Sequence, residues 1–286
     1  MRSPESPHRG PMGAERVPES CPIGDTLVAP RRAPGAVHQC RQHTNDYEKR
    51  VPMRVGIIGA GSVGATLARQ LSRRGHHVSI ANSRGPESLV ALAFEVGATP
   101  ASVRDAAHSG EVVILAVPTK AIAALPRDQF ANASSSLIVI DVGNYHPRLR
   151  DGRIDAIDGG LLDSQWVAQR VKRPVIKAFN NIFASSLGTK GVLPGTPGRI
   201  ALPVSGDSLE SKAVVLRLVD QIGFDAIDAG DLDDSWRHGT GTPAYCQDLD
   251  AAALERALAK ADRDRVAEYR TQEEVRISRA LATNIN

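Results

Sequence analysis

The feature that most constrains this chain is a glycine-rich turn at residues 59–64, which reads Gly-Ala-Gly-Ser-Val-Gly. An apolar segment at residues 55–58 runs directly into the turn, and a segment with apolar residues at helical spacing follows it. Gly59 permits a tight turn off a strand, Gly61 lets a ligand approach the backbone, and Gly64 lets the helix lie close to the sheet. The order of strand, glycine turn and helix therefore predicts the start of an α/β sheet.

The same turn predicts a site for the pyrophosphate of a dinucleotide. The backbone N–H groups around Ser62 and Val63 have no partner within the helix that they begin, and the helix dipole makes this end positive. We therefore expect the backbone at Gly61, Ser62 and Val63 to face the phosphates, with Gly59 and Gly64 shaping the turn. A glycine-rich turn without a ligand is the alternative.

From Met53 onward, strand-like segments alternate with helical ones. The predicted strands lie at Arg54–Ile58, His77–Ala81, a short piece near Thr99, 111–117, 137–142 and 175–179. This alternation predicts an α/β fold with a doubly wound parallel sheet, the Rossmann architecture, followed by a helical C-terminal tail. A further strand–helix–strand unit has its strands at 200–205 and 224–228, and we expect it to extend the same sheet.

The chain divides by composition into three parts. Residues 1–52 are rich in Pro, Arg, Ser and Gly without helical or strand periodicity, so we expect disorder. Because Met53 directly precedes the first strand, this segment is either an over-extended start or a genuine flexible extension. Residues 53–247 are expected to form the dinucleotide-binding domain. Residues 248–286 are expected to form a charged helical tail, either solvated or acting as a homodimer arm.

Composition narrows the classes of partner. The net charge of +3 and the aromatic fraction of 4% do not favour a nucleic-acid surface. The longest apolar run, residues 112–117, is too short to cross a bilayer, and no secretory signal follows Met1. Cys40 and His43 have a ligand-like spacing without a second matching pair, so no metal site is expected. We therefore expect a cytoplasmic protein without nucleic-acid or membrane partners.

The end of the second predicted strand indicates which nicotinamide cofactor is bound. NAD-binding proteins place an acid there for the ribose 2′-OH, and that carboxylate would repel the 2′-phosphate of NADP. Here the strand is followed by Asn82-Ser83-Arg84-Gly85, without an acid. The Arg84 guanidinium and the Ser83 hydroxyl are donors suited to phosphate. The sequence therefore predicts NADP, and the alternative is a solvated Arg84 with no cofactor preference.

Candidates for the chemistry follow the ends of later strands, because ligands of such sheets bind at the carboxyl ends. Val117 and Pro118 follow such a strand, and Pro118 would stiffen a loop beside the cofactor, with a simple strand terminator being the alternative. Asn144 and Asn180 are placed either to hydrogen-bond a ligand or to satisfy their own turns. His146 has the ordinary pKa of a proton donor, but it is equally suited to a loop.

No catalytic residue is assigned. Lys177, inside the sixth predicted strand, is either catalytic or structural. The sequence contains no recognisable Ser-His-Asp order, paired carboxylates or metal cluster. Hydride transfer between two redox rings needs none of these, because the protein has only to stack the rings and exclude water.

Five segments resemble one family, the predicted dinucleotide-binding proteins related to the NADPH:deazaflavin-coenzyme oxidoreductases (coenzyme factor 420). They are residues 55–64, 80–88, 112–118, 139–144 and 175–181, and residues 204–207 and 241–245 agree with them. The resemblance implies hydride transfer between stacked rings without a dedicated acid–base residue. It also implies roles for Gly59, Gly61, Ser62, Val63 and Gly64 at the pyrophosphate, Ser83 and Arg84 at the 2′-phosphate, and Val117 and Pro118 at the nicotinamide.

Three hypotheses of function follow. The first is an NADP-dependent oxidoreductase with the deazaflavin coenzyme as its partner. The second is an NADPH-dependent reductase of a small carbonyl or imine, because the Gly-Ala-Gly turn also resembles pyrroline-carboxylate and imine reductases. That activity would need a proton donor such as His146. The third is a non-catalytic NADP sensor, which would bind NADPH without turnover.

Overall fold

Eight strands and ten α-helices form the described residues, 51–108, 110–126 and 128–283, of this computed structural model. The strands are β1 Arg54–Ile58, β2 His77–Ala81, β3 Thr99–Ala101, β4 Val112–Leu115, β5 Ile138–Asp141, β6 Ile176–Lys177, β7 Ala201–Val204 and β8 Asp225–Asp228. The helices are α1 Ser62–Arg73, α2 Val90–Val96, α3 Val103–His108, α4 Thr119–Ala124, α5 Asp155–Asp158, α6 Asp163–Val171, α7 Ala184–Thr189, α8 Leu209–Gln221, α9 Ala251–Lys260 and α10 Val266–Thr283. The expectations for residues 1–50, including Cys40 and His43, lie outside the described residues.

Six parallel strands form the main sheet in the order β3-β2-β1-β4-β5-β6. After β3 the chain returns to place β4 beside β1, so the direction of winding reverses between these two strands. Such a switch point opens a crevice at the carboxyl ends of the two strands. The predicted doubly wound sheet is therefore confirmed.

Helices cover both faces of this sheet. Side chains alternate between the faces of a strand, so Val55 and Ile57 of β1 pack in one cluster with α1, α2, α7 and α8. Ile58 and Leu115 face the other way and pack with α3, α4 and α6. All four residues of β4 are buried, as expected for a parallel strand covered on both faces.

The prediction that the second strand–helix–strand unit extends the main sheet is wrong. Strands β7 and β8 pair with each other in a separate two-stranded parallel sheet. Among the described residues, an antiparallel bridge between Lys177 and Ser205 is the one β-bridge between the two sheets. The physical reason is that β6 has only two residues, and that the backbone turns away from the strand direction at Phe179, whose φ is +60°. This leaves too short an edge for another parallel ladder.

The helical C-terminal tail is confirmed, and it packs on the rest of the chain. Leu254 of α9 is fully buried in a cluster with Ala201 of β7. In α10, Tyr269 and Glu274 are buried, whereas Leu281 near its end is exposed. The boundary at residue 248 and a homodimer through this tail stay predictions. Within residues 51–108, 110–126 and 128–283, no helix combines the length and apolar character that crossing a membrane requires.

Candidate functional site

A cleft of about 420 Å³ opens at the carboxyl ends of the parallel strands. Six predicted cofactor residues line it, namely Gly61, Ser62, Val63, Val117, Pro118 and Asn144. The weaker candidates His146 and Asn180 also line it. Gly59, Gly64, Ser83 and Arg84 do not line this cleft. The structure therefore brings together residues from the turns that follow β1, β4, β5 and β6, as expected where ligands bind at the carboxyl ends of parallel strands.

The three glycines of the turn differ in what surrounds them. Gly59 has a φ of +120°, and a Cβ added there would lie 2.1 Å from the carbonyl oxygen of Ala116. A Cβ on Gly64 would lie 1.9 Å from the carbonyl oxygen of Gly59. A Cβ on Gly61 would meet no protein atom within 4 Å. Gly59 and Gly64 are thus required by the packing of the protein itself, whereas Gly61 leaves room for a ligand.

The start of α1 is suited to an anion. Gly61 is the N-cap residue and has extended backbone angles, and no side chain caps the helix. The first turn of the helix contains no acidic residue. The first backbone N–H groups therefore have neither an intrahelical acceptor nor a side-chain acceptor. These groups and the exposed Gly61 fit the pyrophosphate of a dinucleotide.

The loop after β2 contains the predicted 2′-phosphate residues. The Asn82 Oδ1 atom accepts the backbone N–H of Arg84 at 2.8 Å, which closes a tight turn. Ser83 and Arg84 are exposed, and within the described residues no acid pairs with the Arg84 guanidinium. The backbone N–H of Gly59 donates to the carbonyl of Ala81 at 2.8 Å, so this loop begins beside the glycine turn.

Asn144 and Asn180 form a reciprocal pair across the ends of β5 and β6. The Asn144 Nδ2 atom donates to the Asn180 carbonyl at 2.8 Å. The Asn180 Nδ2 atom donates to Asn144 Oδ1 at 3.2 Å and to the His238 carbonyl at 2.8 Å. Both amide hydrogens of Asn180 are therefore engaged, whereas one amide hydrogen of Asn144 has no partner among the described residues. Asn180 shapes the wall of the cleft, and Asn144 remains able to bind a ligand.

His238 supports this wall from behind, through Asn180, and sequence reasoning missed it. Its Nδ1 atom lies 2.9 Å from Asn180 Oδ1, and its Nε2 atom lies 2.9 Å from Ser205 Oγ. Burial, together with the charge of Lys177, lowers the pKa of His238 from 6.5 to about 3. The ring is therefore neutral at pH 7. Because the amide hydrogens of Asn180 point elsewhere, its Oδ1 atom must accept, which assigns the imidazole proton to Nδ1.

The Lys177 side chain is buried in an ion pair and does not line this cleft, which favours the structural alternative. Its ammonium lies 3.0 Å from Asp141 Oδ2 and donates to the carbonyl of Gly143. Asp141 also accepts the Ser164 hydroxyl at 2.6 Å and the backbone N–H of Gly143 at 2.9 Å. Both members of the ion pair are buried. The pair holds the turn at the end of β5, which carries Asn144.

His146 and Arg150 lie in the π-helical turn that follows. The backbone N–H of His146 donates to Asp151 Oδ2 at 2.8 Å, and its Nδ1 atom is buried without a partner in the described part of the chain. Burial, and then the charge of Arg150, lower the pKa of His146 below 6.5. The Arg150 Nη2 atom donates to the Asn144 carbonyl at 2.7 Å and to Asp151 Oδ2 at 3.1 Å.

Several further cleft residues escaped sequence reasoning as candidates, among them Arg150, Phe183, Tyr245 and Cys246. Burial raises the pKa of the Cys246 thiol to about 12 and raises that of the Tyr245 hydroxyl above its usual range, so both are neutral at pH 7. Arg150 lies in the turn after β5, so including the later residues of that turn among the candidates would have found it. Tyr245 ends the segment 241–245, which the family resemblance includes.

The sheet order, the glycine turn and the cleft define a dinucleotide-binding Rossmann protein. Residues 54–145 match the family model described as NADP oxidoreductase, coenzyme F420-dependent. The crystal structure of hypothetical protein SMa0349 from Sinorhizobium meliloti is 30% identical, with a TM-score of 0.59, and the match covers 71% of this chain and 97% of that chain.

Two further proteins are similar to this chain. A crystal structure from Arthrobacter sp. FB24, provisionally described as an F420-dependent NADP reductase, is 25% identical with a TM-score of 0.52, covering 64% of this chain and 87% of that chain. The Escherichia coli (strain K12) protein YjhV is 41% identical over 64 residues. That match covers 22% of this chain and 47% of YjhV, or about half of that relative. The chain belongs to the coenzyme F420-dependent NADP oxidoreductase family, which confirms the predicted family.

Proposed function

We propose that the protein transfers hydride between NADP(H) and a second redox partner, and that the partner is the deazaflavin coenzyme. The observation that carries the proposal is the space beside Gly61, which no atom of the described residues fills. This space lies at the uncapped start of α1, in the same cleft as Val117, Pro118 and Asn144. When bound, NADPH would supply the hydride. The protein would supply binding, orientation and exclusion of water.

The order of the strands supports one orientation of the cofactor. Neighbouring strands lie about 4.8 Å apart, so the turns after β2, β1, β4 and β5 follow one another along the edge of the sheet. Arg84 after β2 would bind the 2′-phosphate, and Gly61 after β1 would approach the pyrophosphate. Val117 and Pro118 after β4 would border the nicotinamide. The partner would then lie beside β5 and β6.

The choice of NADP over NAD rests on the loop after β2. Its first side chain, Asn82, is a carboxamide whose oxygen is engaged within the turn, so the position directly after β2 carries no carboxylate. The exposed guanidinium of Arg84 has no competing acid among the described residues, which leaves it available to an anion. Both features support NADP as the cofactor.

The neutral state of His146 and Cys246 in the cleft supports transfer between rings without an acid. His146 is neutral at pH 7 because burial lowers its pKa, and Cys246 holds its proton because burial raises its pKa to about 12. Neither is therefore a strong proton donor. Hydride transfer to a redox ring does not depend on one.

The test is the oxidation of NADPH, followed by absorbance, with and without the oxidised deazaflavin coenzyme. We expect oxidation that requires the deazaflavin, and a Gly61→Ala variant that loses it together with NADPH binding. Tight binding of NADPH without deazaflavin-dependent oxidation would retain the NADP site and reject this partner. The cytoplasmic location stays a prediction.

The second candidate is an NADPH-dependent reductase of a small carbonyl or imine. It is favoured by one observation, the buried Nδ1 atom of His146, which lacks a protein partner in the described residues and belongs to a cleft residue. In this reaction His146→Ala would lower kcat by about tenfold or more. The same variant would leave deazaflavin-dependent oxidation nearly unchanged, which separates the two candidates.

A further inference from the structure

The cleft wall carries one permanently charged side chain among the described residues, the guanidinium of Arg150. No carboxylate lines the cleft within that part of the chain. The other titratable groups in the wall are His146, Tyr245 and Cys246, and their pKa shifts keep all three neutral at pH 7. The charge of the wall is therefore positive, in addition to the positive end of α1.

Hydrogen bonds along one edge of its guanidinium hold Arg150 in place. Its Nε atom donates to Asp151 Oδ1 at 3.3 Å, and its Nη2 atom donates to Asp151 Oδ2 and to the Asn144 carbonyl. The Asp151 side chain is fully buried and also accepts the backbone N–H groups of Lys120 and His146. Asp151 therefore orients the guanidinium from behind and does not line the cleft.

The remaining nitrogen of Arg150 has no protein partner. Among the described residues, none accepts from its Nη1 atom, which carries two N–H groups. The side chain is 41% exposed, so water or a ligand can reach it. A guanidinium fixed through Nε and Nη2 loses little conformational freedom when Nη1 binds a ligand.

The position of Arg150 separates it from the cofactor phosphates. The Asn144 carbonyl that it contacts follows β5, and β5 is two strands away from β1 and its glycine turn. Two strand spacings amount to about 10 Å. The 2′-phosphate loop lies on the opposite side of β1. Arg150 therefore lies on the side of the cleft where the hydride acceptor would bind.

We propose that Arg150 binds an anionic group, a carboxylate or a phosphate, of the hydride acceptor through its Nη1 atom. This inference rests on the proposed function, because it assumes that NADP(H) occupies the other side of the cleft. It narrows the acceptor to molecules that carry a carboxylate or a phosphate group.

The experiment measures binding of three small ring probes to the full-length protein saturated with NADP⁺. Benzoate carries a carboxylate, phenylphosphonate carries a phosphonate, and benzamide has nearly the shape of benzoate without the charge. We expect at least one anionic probe to bind about tenfold or more tightly than benzamide. This preference should weaken as salt concentration rises, because Arg150 is partly exposed. Which anion binds more tightly distinguishes a carboxylate site from a phosphate site.

The Arg150→Met variant identifies the residue responsible. We expect it to bind all three probes equally, to keep the NADPH Kd within about twofold, and to lose the salt dependence. An Arg150→Lys variant, which retains the charge, should keep part of the preference. Arg148→Met is the matched control, because Arg148 is an exposed arginine of the same turn that does not line the cleft, and this variant should keep all of the preference.

The outcomes separate this inference from the proposed function. Wild-type protein that binds NADPH but does not distinguish benzoate and phenylphosphonate from benzamide overturns the role of Arg150 and leaves the proposed function standing. An Arg150→Met variant whose NADPH Kd rises about tenfold while the anion preference persists also overturns it, because Arg150 would then hold the cofactor. Wild-type protein that binds no NADPH rejects the proposed function and this inference with it.

Discussion

The most discriminating perturbation is Gly61→Ala in the glycine turn. The added methyl group meets no protein atom within 4 Å, and the backbone angles of Gly61, φ −77° and ψ −175°, are open to any residue. The loss of a favourable N-cap residue costs a few tenths to about 1 kcal/mol, and the less flexible unfolded chain offsets part of it. We therefore expect the free energy of unfolding to change by less than about 1 kcal/mol.

The same methyl group lies where a pyrophosphate would approach the backbone. Phosphate oxygens need to come within about 3 Å of the N–H groups, and a carbon atom in that space prevents it. Each lost charge-assisted hydrogen bond is worth about 1.5–3 kcal/mol. Losing two of them should weaken NADPH binding by about 100-fold or more. Titration followed by NADPH fluorescence measures this.

Two other glycines serve as controls. In Gly64→Ala the new Cβ would lie 1.9 Å from the Gly59 carbonyl oxygen, so the helix must shift. We expect a loss of about 1–3 kcal/mol and a Tm lower by roughly 2–4 °C per kcal/mol. In Gly188→Ala, within α7, the nearest atom, Thr66 Cγ2, is 3.5 Å away, so binding should not change and Tm should not fall, since Ala favours a helix over Gly by about 0.5–1 kcal/mol.

The reasoning is refuted if Gly61→Ala binds NADPH within about threefold of the wild type. The pyrophosphate would then not lie beside Gly61. It is also refuted if the Gly61→Ala and Gly64→Ala variants lose equal stability, because Gly61 would then be a packing residue.

Three further predictions follow from the site. Arg84→Ala should raise the Michaelis constant for NADPH by about tenfold or more and that for NADH by less than about twofold, and equal changes would remove the 2′-phosphate role. Lys177→Met leaves the Asp141 carboxylate buried without its counter-ion, so denaturant unfolding should show a free energy of unfolding lower by about 3–5 kcal/mol. If the effects of Lys177→Met and Asp141→Asn prove additive in a double-mutant cycle, the ion pair is contradicted. His238 has a pKa of about 3 in the folded protein, against the ordinary histidine value of 6.5 in the unfolded chain, so the unfolded chain binds the extra proton and stability falls as pH drops below 6.5. At pH 5 this group should remove about 2 kcal/mol relative to pH 7, and a His238→Gln variant with the same pH dependence as the wild type would exclude His238 as the cause.

The sequence by itself determined the main sheet and the glycine turn at the start of α1. The strand, the glycine turn and the helix are contiguous over residues 54–73, so their spacing encodes β1, the turn and α1 directly. Because parallel strands all end at one edge, the chain order alone predicted that Val117, Pro118 and Asn144 would meet Gly61. These are local patterns combined with a general rule of topology.

Only the tertiary structure decided the side of the cleft beside β5 and β6 and the second sheet. Asn180 and His238 are 58 residues apart, and their hydrogen bond depends on how the segment after β8 folds back. The separation of β7 and β8 from the main sheet depends on the shortness of β6, which apolar periodicity did not indicate. Arg150 lines the cleft because Asp151 and the Asn144 carbonyl hold its guanidinium there. Such contacts depend on packing between distant segments, which no local spacing records.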